Sequence, residues 1–390
     1  MQQWSNGTIA VLFAAVGAFF MQERRVVPAV PAGVSSLAVS AGGFVFVGGV
    51  KGLDPSKAAG NADGIQVQTQ QVIARLAQAL DAAGSSLGQT LSVSVYLRNA
   101  ADFDAMNAVY RERFAVDPPA RTTVVTDFAD EALVEMSAIA VPNGTPREVV
   151  HPAGWTKSPR PYSYILRANG VVFFAGLVSR RPSDDQIVPG SVGLQTRTIL
   201  DNAGSLLRAA GFRYENVLAA RVFLTDDSIF EAMNDEYRSY FTSDPPTRAT
   251  AVTSLMGSDA MVEISFIASG LERKSFGTPV WPTLPISPGL RAGRLAFLSG
   301  VTGNTGANTR DVAAQTREAL TRIRQTVEAA ELSMADVADC TIYLPDPWQA
   351  AQVDAVFHEF FPTQPPARTI VGARLAARDA VVEFLATVAK

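Results

Sequence analysis

Short apolar segments that end in glycine recur three times along the chain. They consist of Phe, Val and small residues, a composition typical of buried strands rather than helices. The three segments are residues 44–50, 171–177 and 295–301. Because each is followed by the same succession of predicted elements, the pattern indicates repeated domains.

A predicted helix follows each of these strands after a polar loop. In the first unit the apolar residues at helical spacing are Val72, Ile73, Leu76 and Leu80, and the segment ends at Gly84. A further strand comes next, and then a second helix at about 102–114, 228–241 and 348–361. A double proline then precedes two more strands in each unit, which we expect to form a hairpin.

The residues after the double prolines repeat at a domain-sized interval. Steps of 127 and 120 residues separate the arginines Arg121, Arg248 and Arg368, and Gln-Thr pairs and aromatic residues keep the same steps. We predict repeats at 33–143, 152–270 and 277–390, after an N-terminal segment at 1–32. Linkers rich in Pro and polar residues are expected at about 143–160 and 271–288.

Each repeat is predicted to be an α+β domain, in which two helices can cover only one face of a sheet. The strands carry apolar residues on both sides, so the uncovered face needs a partner. Three copies in one chain can supply that partner in a closed three-fold arrangement, with sheets inward and helices outward. We therefore predict an intramolecular pseudo-trimer that is a monomer in solution.

Composition narrows the classes of function. Lys and Arg number 33 and Asp and Glu 37, a net charge of −4 without the basic stripe typical of nucleic-acid binding. The single cysteine, Cys340, excludes an intramolecular disulfide, and the two histidines, His151 and His358, have no metal-binding spacing. The sequence thus predicts no metal, no organic cofactor and no nucleic-acid partner. Cys340 is interpreted as a core residue.

The N-terminus carries an unbroken apolar run of 13 residues from Ile9 to Met21. This run is short for a membrane span but fits the apolar stretch of a secretion signal. No Lys or Arg precedes it, and translation could instead begin at Met21. The location is therefore cytoplasmic if the chain starts at Met21, and periplasmic or membrane-tethered if the run is a signal.

The Pro-Pro-Ala-Arg turn, together with the later Val-Glu strand that ends in Ala138 to Val141, resembles the Rid (YjgF) family. The resemblance extends from about residue 33 to the C-terminus, three times over. It implies a chorismate-mutase-like fold, trimeric assembly and sites in the clefts between units. It also implies hydrolysis of reactive enamines and imines, such as 2-aminoacrylate, to a 2-keto acid and ammonia. The ribonuclease activity attached to the family's names has little support in an acidic chain.

The resemblance implies a role for three sets of residues, with each cleft drawing on two units. The arginines that would hold the substrate carboxylate are Arg121, Arg248 and Arg368. The backbone N–H groups that would assist them belong to Thr123, Thr250 and Ile370. The glutamates that would position the attacking water are Glu135, Glu263 and Glu383.

Elementary chemistry agrees with these roles. A guanidinium is planar and can bind a carboxylate through two parallel hydrogen bonds, which a lysine cannot reproduce. An unpaired buried carboxyl is destabilising, so a glutamate inside an apolar strand needs a reason to be there. One alternative is that the arginine and the glutamate pair with each other as a structural bridge between units.

The three copies differ at further positions of the family pattern. Only repeat two has the early tyrosine, Tyr162, and only repeat three has a small polar residue, Ser299, before the strand-end glycine. The asparagine on the second helix is Asn107 or Asn234, but repeat three has Asp354. Tyr162, Ser299, Asn107 and Asn234 are therefore candidate substrate-binding residues. The negative charge of Asp354 predicts at least one weakened cleft.

The leading hypothesis is a cofactor-free imine or enamine deaminase whose partner is a small carboxylate. A single glutamate and a fixed water suffice for this reaction, because a protonated C=N bond is already electrophilic. Two alternatives stay open: a hydrolase for another small carboxylate, and a non-catalytic module that senses a small acid or contacts a protein.

Overall fold

The computed structural model of the chain describes residues 24–29, 33–53, 63–279 and 282–390. The apolar run from Ile9 to Met21 lies outside these ranges, so the secretion signal and the start at Met21 stay predictions. Within the described ranges no helix is long and apolar enough to cross a membrane. The same ranges contain no group of three or more His, Cys, Asp or Glu side chains placed to hold a metal ion.

In the part of the chain that the structure describes, the three repeats share one succession of six strands and two α-helices, to which repeat three adds two short strands at Val301–Thr302 and Arg374–Leu375. Repeat one consists of β1 (Arg25–Pro28), β2 (Ser36–Ala41), β3 (Phe44–Lys51), α1 (Ile65–Ala82), β4 (Thr90–Leu97), α2 (Phe103–Arg113), β5 (Ala120–Val125) and β6 (Val134–Ala140). Repeat two consists of β7 (Glu148–Val150), β8 (Ile165–Ala168), β9 (Val171–Phe174), α3 (Val192–Ala209), β10 (Val217–Leu224), α4 (Phe230–Tyr240), β11 (Thr247–Val252) and β12 (Val262–Ser269). Repeat three consists of β13 (Arg273–Phe276), β14 (Gly289–Ala292), β15 (Leu295–Leu298), β16 (Val301–Thr302), α5 (Val312–Glu328), β17 (Val337–Tyr343), α6 (Ala350–Phe360), β18 (Ala367–Val371), β19 (Arg374–Leu375) and β20 (Glu383–Ala389).

The helices form where the apolar spacing predicts them. Helix α1 buries Val72, Ile73, Leu76 and Leu80 on one face against the sheet of its own repeat. Gly84 follows its end with a φ of +79°, a conformation that glycine adopts without steric strain. The first helix of repeat one and its end are thus confirmed.

The double-proline strand and the glutamate strand do not form the predicted hairpin. In repeat one β4 lies between them, parallel to β5 and antiparallel to β6. The same order holds around β10 and β17. A strand–helix–strand crossover such as β4–α2–β5 aligns its two strands in parallel, so the next strand adds on the far side of β4. The hairpin prediction is therefore wrong, and the arginine and glutamate of one repeat lie on opposite sides of its central strand.

Several strands were not indicated by the apolar pattern. β2 pairs with β3 through a turn at Gly42 and Gly43, whose φ angles of +61° and +88° suit a two-residue hairpin. Asn169 and Gly170 make the corresponding turn in repeat two. The segments expected to be linkers contain β7 and β13, which pair with β8 and β14. These segments therefore contribute edge strands as well as connecting the repeats.

One backbone contact, repeated three times, closes the repeats into a ring. In each case a serine N–H near the start of one repeat donates to the carbonyl of the second proline of the preceding repeat. The pairs are Ser163 to Pro119 (3.3 Å), Ser287 to Pro246 (3.3 Å) and Ser36 to Pro366 (3.1 Å). The third pair returns from repeat three to repeat one. The predicted intramolecular pseudo-trimer is thus confirmed.

The sheets face inward, as predicted, and their strands meet at the pseudo-three-fold axis. Helix residues pack over the outer sheet face of each repeat. At the axis, two apolar clusters contain strand residues from all three repeats. One includes Phe46, Phe173 and Phe297, and the other includes Tyr96, Phe223 and Tyr343. Cys340, on β17, is fully buried in the core of repeat three, which confirms its interpretation.

A cavity of about 60 Å³, lined by polar and apolar residues of all three repeats, lies beside these axial clusters. Arg221 points into it from a position that is Ser94 in repeat one and Thr341 in repeat three, and it donates to Ser94 Oγ at 3.4 Å. Asp339 lines the same cavity. Burial raises the pKa of Asp339 to about 6, and the Arg221 guanidinium acts in the opposite direction. One cation and one acidic group thus line the axis.

Candidate functional site

Each predicted arginine faces the predicted glutamate of a different repeat. We call the three sites cleft A, with Arg121 and Glu263, cleft B, with Arg248 and Glu383, and cleft C, with Arg368 and Glu135. The structure thus brings the two sets of residues together in pairs that span two repeats. No ion pair joins the arginine to the glutamate in any of these clefts, and all six strands that carry these residues are described. The alternative of a structural bridge is therefore not supported.

The arginines lie at the seams between repeats because their strands are hydrogen-bonded on both sides. Strand β5 pairs with β4 of its own repeat, and the N–H of Gly176 in repeat two donates to Arg121 O at 3.1 Å. In the same way, the N–H of Gly300 in repeat three donates to Arg248 O at 3.0 Å. The backbones of Arg121 and Arg248 are therefore each held by two repeats.

The strand-end glycines make room for the glutamates. A Cβ atom on Gly176 would lie 1.8 Å from Glu263 Oε1, and one on Gly300 would lie 1.6 Å from Glu383 Oε1. Gly49 stands in the same relation to the glutamate of its own repeat. Only glycine allows the carboxyl to lie directly against the backbone at these positions.

A buried glutamine on the first helix of each repeat holds the loop that leads into the glutamate strand. Gln195 Oε1 accepts a hydrogen bond from Met261 N at 2.9 Å, and Gln195 Nε2 donates to Asp259 O at 2.8 Å. Gln68 and Gln315 make the corresponding bonds in the other repeats. The glutamine of the Gln-Thr pair that marks the repeat in the sequence therefore positions the loop two residues before the glutamate.

Cleft A contains an arginine with unused hydrogen-bonding capacity. Arg121 is 4 % exposed, and its guanidinium lies over the ring of Tyr110, 4.8 Å from the ring centroid. Its Nη1 has no hydrogen-bond partner, and neither has Asn107 Oδ1 on the second helix. Leaving a buried donor unpaired costs roughly 1–3 kcal/mol. A carboxylate bound in the cleft would remove this cost.

The carboxyl that faces Arg121 is held largely in its protonated form near neutral pH. Burial raises the pKa of Glu263 to about 8, while the Thr123 backbone and the Arg121 and Arg180 guanidinium groups act in the opposite direction. A carboxyl with a pKa close to the ambient pH can both accept and return a proton. Tyr162 lines the same cleft, with its ring centroid 5.9 Å from the Arg121 guanidinium.

Cleft B repeats this arrangement in a larger space. Arg248 Nη2 donates to Asn234 Oδ1 at 2.6 Å, and Arg248 Nη1 has no partner. Burial raises the pKa of Glu383 to about 8, with Arg248 acting in the opposite direction. The cavity has a volume of about 290 Å³, against about 50 Å³ for cleft A. Thr250 lines it at the position that Thr123 has in cleft A.

Cleft C differs from the other two in its charges. Arg368 Nη1 forms an ion pair with Asp354 Oδ1, so the guanidinium already has a carboxylate partner. Lys51 Nζ lies 3.8 Å from Glu135 Oε2. Burial raises the pKa of Glu135 to about 7, and Lys51 acts in the opposite direction. Ile370 is half-buried on β18, two residues after Arg368.

Ser299 lies beside cleft B with its hydroxyl already engaged. Its Oγ accepts a hydrogen bond from the N–H of Arg248 at 2.9 Å and donates to Ser287 O at 2.6 Å. A serine has a single O–H donor, and here that donor is used. In the structure Ser299 therefore holds the strand of Arg248 against repeat three.

Three cations near the clefts were not identified from the sequence. Arg160 and Arg180 line cleft A, and Lys51 lies at cleft C. Arg160 stands two residues before Tyr162, and Arg180 stands four residues after the strand-end glycine. Both positions lie in loops that differ among the repeats, so the repeat pattern carries no signal for them.

The closed assembly of three α+β repeats, with an arginine and a glutamate at each seam, defines an intramolecular pseudo-trimer. Residues 26–142, 156–269 and 280–390 each match the Endoribonuclease L-PSP family. These segments span most of the chain, and the chain belongs to this family, as three tandem copies. The resemblance to Rid proteins seen in the sequence is confirmed.

Related proteins correspond to one repeat at a time. A RutC family protein of Sulfurisphaera tokodaii is 36% identical over 116 residues, which are 29% of this chain and 93% of the relative. A 2-iminobutanoate/2-iminopropanoate deaminase of Capra hircus is 34% identical over 122 residues, which are 31% of this chain and 89% of the relative. Homologues of this chain thus include proteins named as imine deaminases. A crystal structure of a chorismatase aligns over 77% of this chain and 93% of its own with a TM-score of 0.52 at 16% identity, which shows a shared fold.

Proposed function

We propose that the chain hydrolyses imines or enamines of 2-amino acids, such as 2-aminoacrylate, to 2-oxo acids and ammonia at clefts A and B. The observation that carries the proposal is a buried arginine with an unpaired Nη1 facing a buried glutamic acid across each of these clefts. The naming of relatives at about one third identity as 2-iminobutanoate/2-iminopropanoate deaminases supports the reaction type.

Binding begins with the carboxylate that every such imine carries. Arg121 in cleft A and Arg248 in cleft B offer a free Nη1 in a buried setting, where a charge-assisted hydrogen bond is strong. Thr123 and Thr250 lie on the same strands and line the same clefts, and their backbone N–H groups are proposed to assist the arginines. A carboxylate held there places the adjacent C=N carbon towards Glu263 or Glu383.

Hydrolysis then needs a water and a proton carrier. The glutamate accepts a proton from a water molecule as the water oxygen bonds to the carbon of the protonated C=N group. The resulting tetrahedral amino alcohol receives that proton on nitrogen, and the C–N bond breaks to release ammonia. The hydroxyl gives its proton to the glutamate, and through it to the ammonia, as its oxygen becomes the carbonyl of the 2-oxo acid. An iminium group and one water thus yield a carbonyl group and an ammonium ion, with no change of oxidation state. An enamine enters the same route after protonation at carbon.

Cleft C contributes less to this activity, because Asp354 occupies the guanidinium that would bind the substrate. A substrate carboxylate has to displace Asp354, and like charges oppose its approach. The weakened cleft that Asp354 predicts from the sequence is therefore proposed to be cleft C.

Ammonia release from 2-iminobutanoate and 2-aminoacrylate, generated enzymatically in the assay, tests the proposal. Glu263→Gln and Glu383→Gln together should lower the rate by about 100-fold or more, and each alone should lower it in part. Glu318, which is partly exposed and pairs with Arg322 on α5 away from the clefts, provides a control as Glu318→Gln. No acceleration by the parent chain, with tight binding of 2-oxo acids retained, would indicate a non-catalytic carboxylate-binding module instead.

A further inference from the structure

Clefts A and B share the residues that hold the reacting group and differ in the rest of their walls. The shared positions are Phe103 and Phe230, Thr123 and Thr250, and Gly176 and Gly300, beside the arginine and the glutamate. Because these positions hold the carboxylate and the C=N carbon, the remaining lining residues face the substituent on that carbon. Differences among them therefore act on substrate choice.

The remaining wall of cleft A is cationic. Arg160 and Arg180 both line it, and both approach Asp185 Oδ2, at 3.2 Å and 3.5 Å. Asp185 is 5 % exposed on its side chain and is one carboxylate shared by two guanidinium groups. With Arg121 added, three cations surround a small cavity of about 50 Å³ that contains the mostly protonated Glu263. This excess of positive charge suits a second negative group on a short ligand.

The corresponding wall of cleft B is apolar. Leu284 and Ile286 occupy the positions of Arg160 and Tyr162, and Ala376 takes the place of Met256. The exchange of Met for Ala and the loss of the arginine widen the cavity to about 290 Å³. Glu231 lines this cleft and adds a negative charge, which disfavours a second carboxylate on the ligand.

We propose that the two clefts divide substrates between them: cleft A takes short imino dicarboxylates, and cleft B takes imino acids with bulky apolar side chains. Arg160 and Arg180 hold the second carboxylate in cleft A, and Leu284 and Ile286 pack against the side chain in cleft B. The hydrolysis of these substrates rests on the proposed function. The difference in binding between the two clefts does not, because 2-oxo acids carry the same carboxylate and side chain and can bind without being turned over.

The test measures binding of two stable 2-oxo acids by titration calorimetry. 2-Oxoglutarate is the dicarboxylate probe, and 4-methyl-2-oxopentanoate is the apolar probe. Arg180→Gln should weaken 2-oxoglutarate by about tenfold or more and leave 4-methyl-2-oxopentanoate within twofold. Arg181→Gln is the matched control, because Arg181 is the exposed neighbour that pairs with Asp184.

A reciprocal change tests cleft B. Ile286→Asp introduces a charge into the apolar wall and should weaken 4-methyl-2-oxopentanoate by about tenfold or more while 2-oxoglutarate keeps its affinity. Leu284→Ala is the milder variant, because it removes packing without burying a charge and should shift the same probe in the same direction.

The results separate this inference from the proposed reaction. Equal weakening of both probes by Arg180→Gln, or no weakening of 2-oxoglutarate, would overturn the division of substrates. Separate binding of the two probes without ammonia release from either imine would leave the division standing and remove the deaminase function. A comparison of Arg121→Ala with Arg248→Ala could instead show that one cleft releases ammonia from both kinds of imine. That result would overturn the division of substrates and leave the deaminase function standing.

Discussion

Arg368 forms an ion pair with Asp354, and this pair places a carboxylate of the protein where clefts A and B leave a guanidinium nitrogen free. The difference has a single origin in the sequence, because the same position of the second helix is Asn107 in repeat one and Asn234 in repeat two. An asparagine can accept a hydrogen bond from the arginine without neutralising it, as Asn234 does for Arg248. In cleft C the Asp354 carboxylate therefore occupies the guanidinium whose equivalents in clefts A and B are free to bind a ligand.

Replacing Asp354 by asparagine should restore a carboxylate site in cleft C. Asp354→Asn leaves the Arg368 charge uncompensated, so we expect one additional binding site for 2-oxobutanoate per chain in titration calorimetry. Asp235→Asn is the matched control, since Asp235 is an exposed acidic residue on the equivalent helix of repeat two. An unchanged stoichiometry in Asp354→Asn would show that the ion pair is not what closes cleft C.

The proposed activity of cleft B should depend on pH through Glu383. Its pKa of about 8 means that the ionised form, which accepts the proton from water, becomes populated as the pH rises. We expect kcat/KM for an apolar 2-imino acid to rise with pH and to level off above about 8. Steady-state ammonia release between pH 6 and 9.5 measures this, after correction for spontaneous hydrolysis. The same inflection in Glu383→Gln would assign the titration to another group.

The buried glutamates should also make the fold less stable as the pH rises. Glu263 and Glu383 each have a folded-state pKa of about 8, above the ordinary value of 4.5. The fold therefore prefers their protonated forms, and the stability linked to them is fully present below about 4.5 and lost as the pH rises through 8. The double variant with glutamine at both positions should show a smaller fall in melting temperature between pH 5 and pH 9. Parallel curves for parent and variant would contradict the raised pKa values.

The glycine beneath Glu383 gives a way to displace this carboxyl without removing it. A Cβ on Gly300 would overlap Glu383 Oε1, so Gly300→Ala should push the carboxyl out of position and lower turnover in cleft B by about tenfold or more. The stability cost should stay within about 1–3 kcal/mol, as for other overpacked sites. Ammonia release from an apolar imine and calorimetric melting together measure the two effects. Gly193→Ala is the control, because a Cβ there meets no atom within 4 Å.

The sequence predicts the parts of this fold that depend on local periodicity. Helical spacing of Val72, Leu76 and Leu80 places α1 correctly, and the regular steps between Arg121, Arg248 and Arg368 predict three domains. The order of strands within the sheet depends instead on how the chain crosses over, and a local apolar pattern contains no information on that. The predicted hairpin fails for this reason.

The candidate site is predicted from the sequence only as far as its residue types. The three arginines and three glutamates are visible as repeats, but which arginine meets which glutamate follows from the closure of the ring. The charged wall of cleft A is not visible, because Arg160 and Arg180 lie in loops that differ among the repeats. The role of Gln195 is also absent from the sequence pattern, since its bonds go to backbone atoms 64 and 66 residues away.

The cavity on the central axis shows what joining three domains into one chain permits. A homotrimer presents every residue near its axis three times, so a single inward arginine would bring two further guanidinium groups into the same small space. Here Arg221 and Asp339 each occur once in a cavity of about 60 Å³, and the equivalent positions carry small uncharged side chains. Three copies of repeat two alone would crowd three cations on the axis, and three copies of repeat three would crowd three acids. The side chains that the three repeats contribute to the axis are therefore complementary, and no repeat can replace another there.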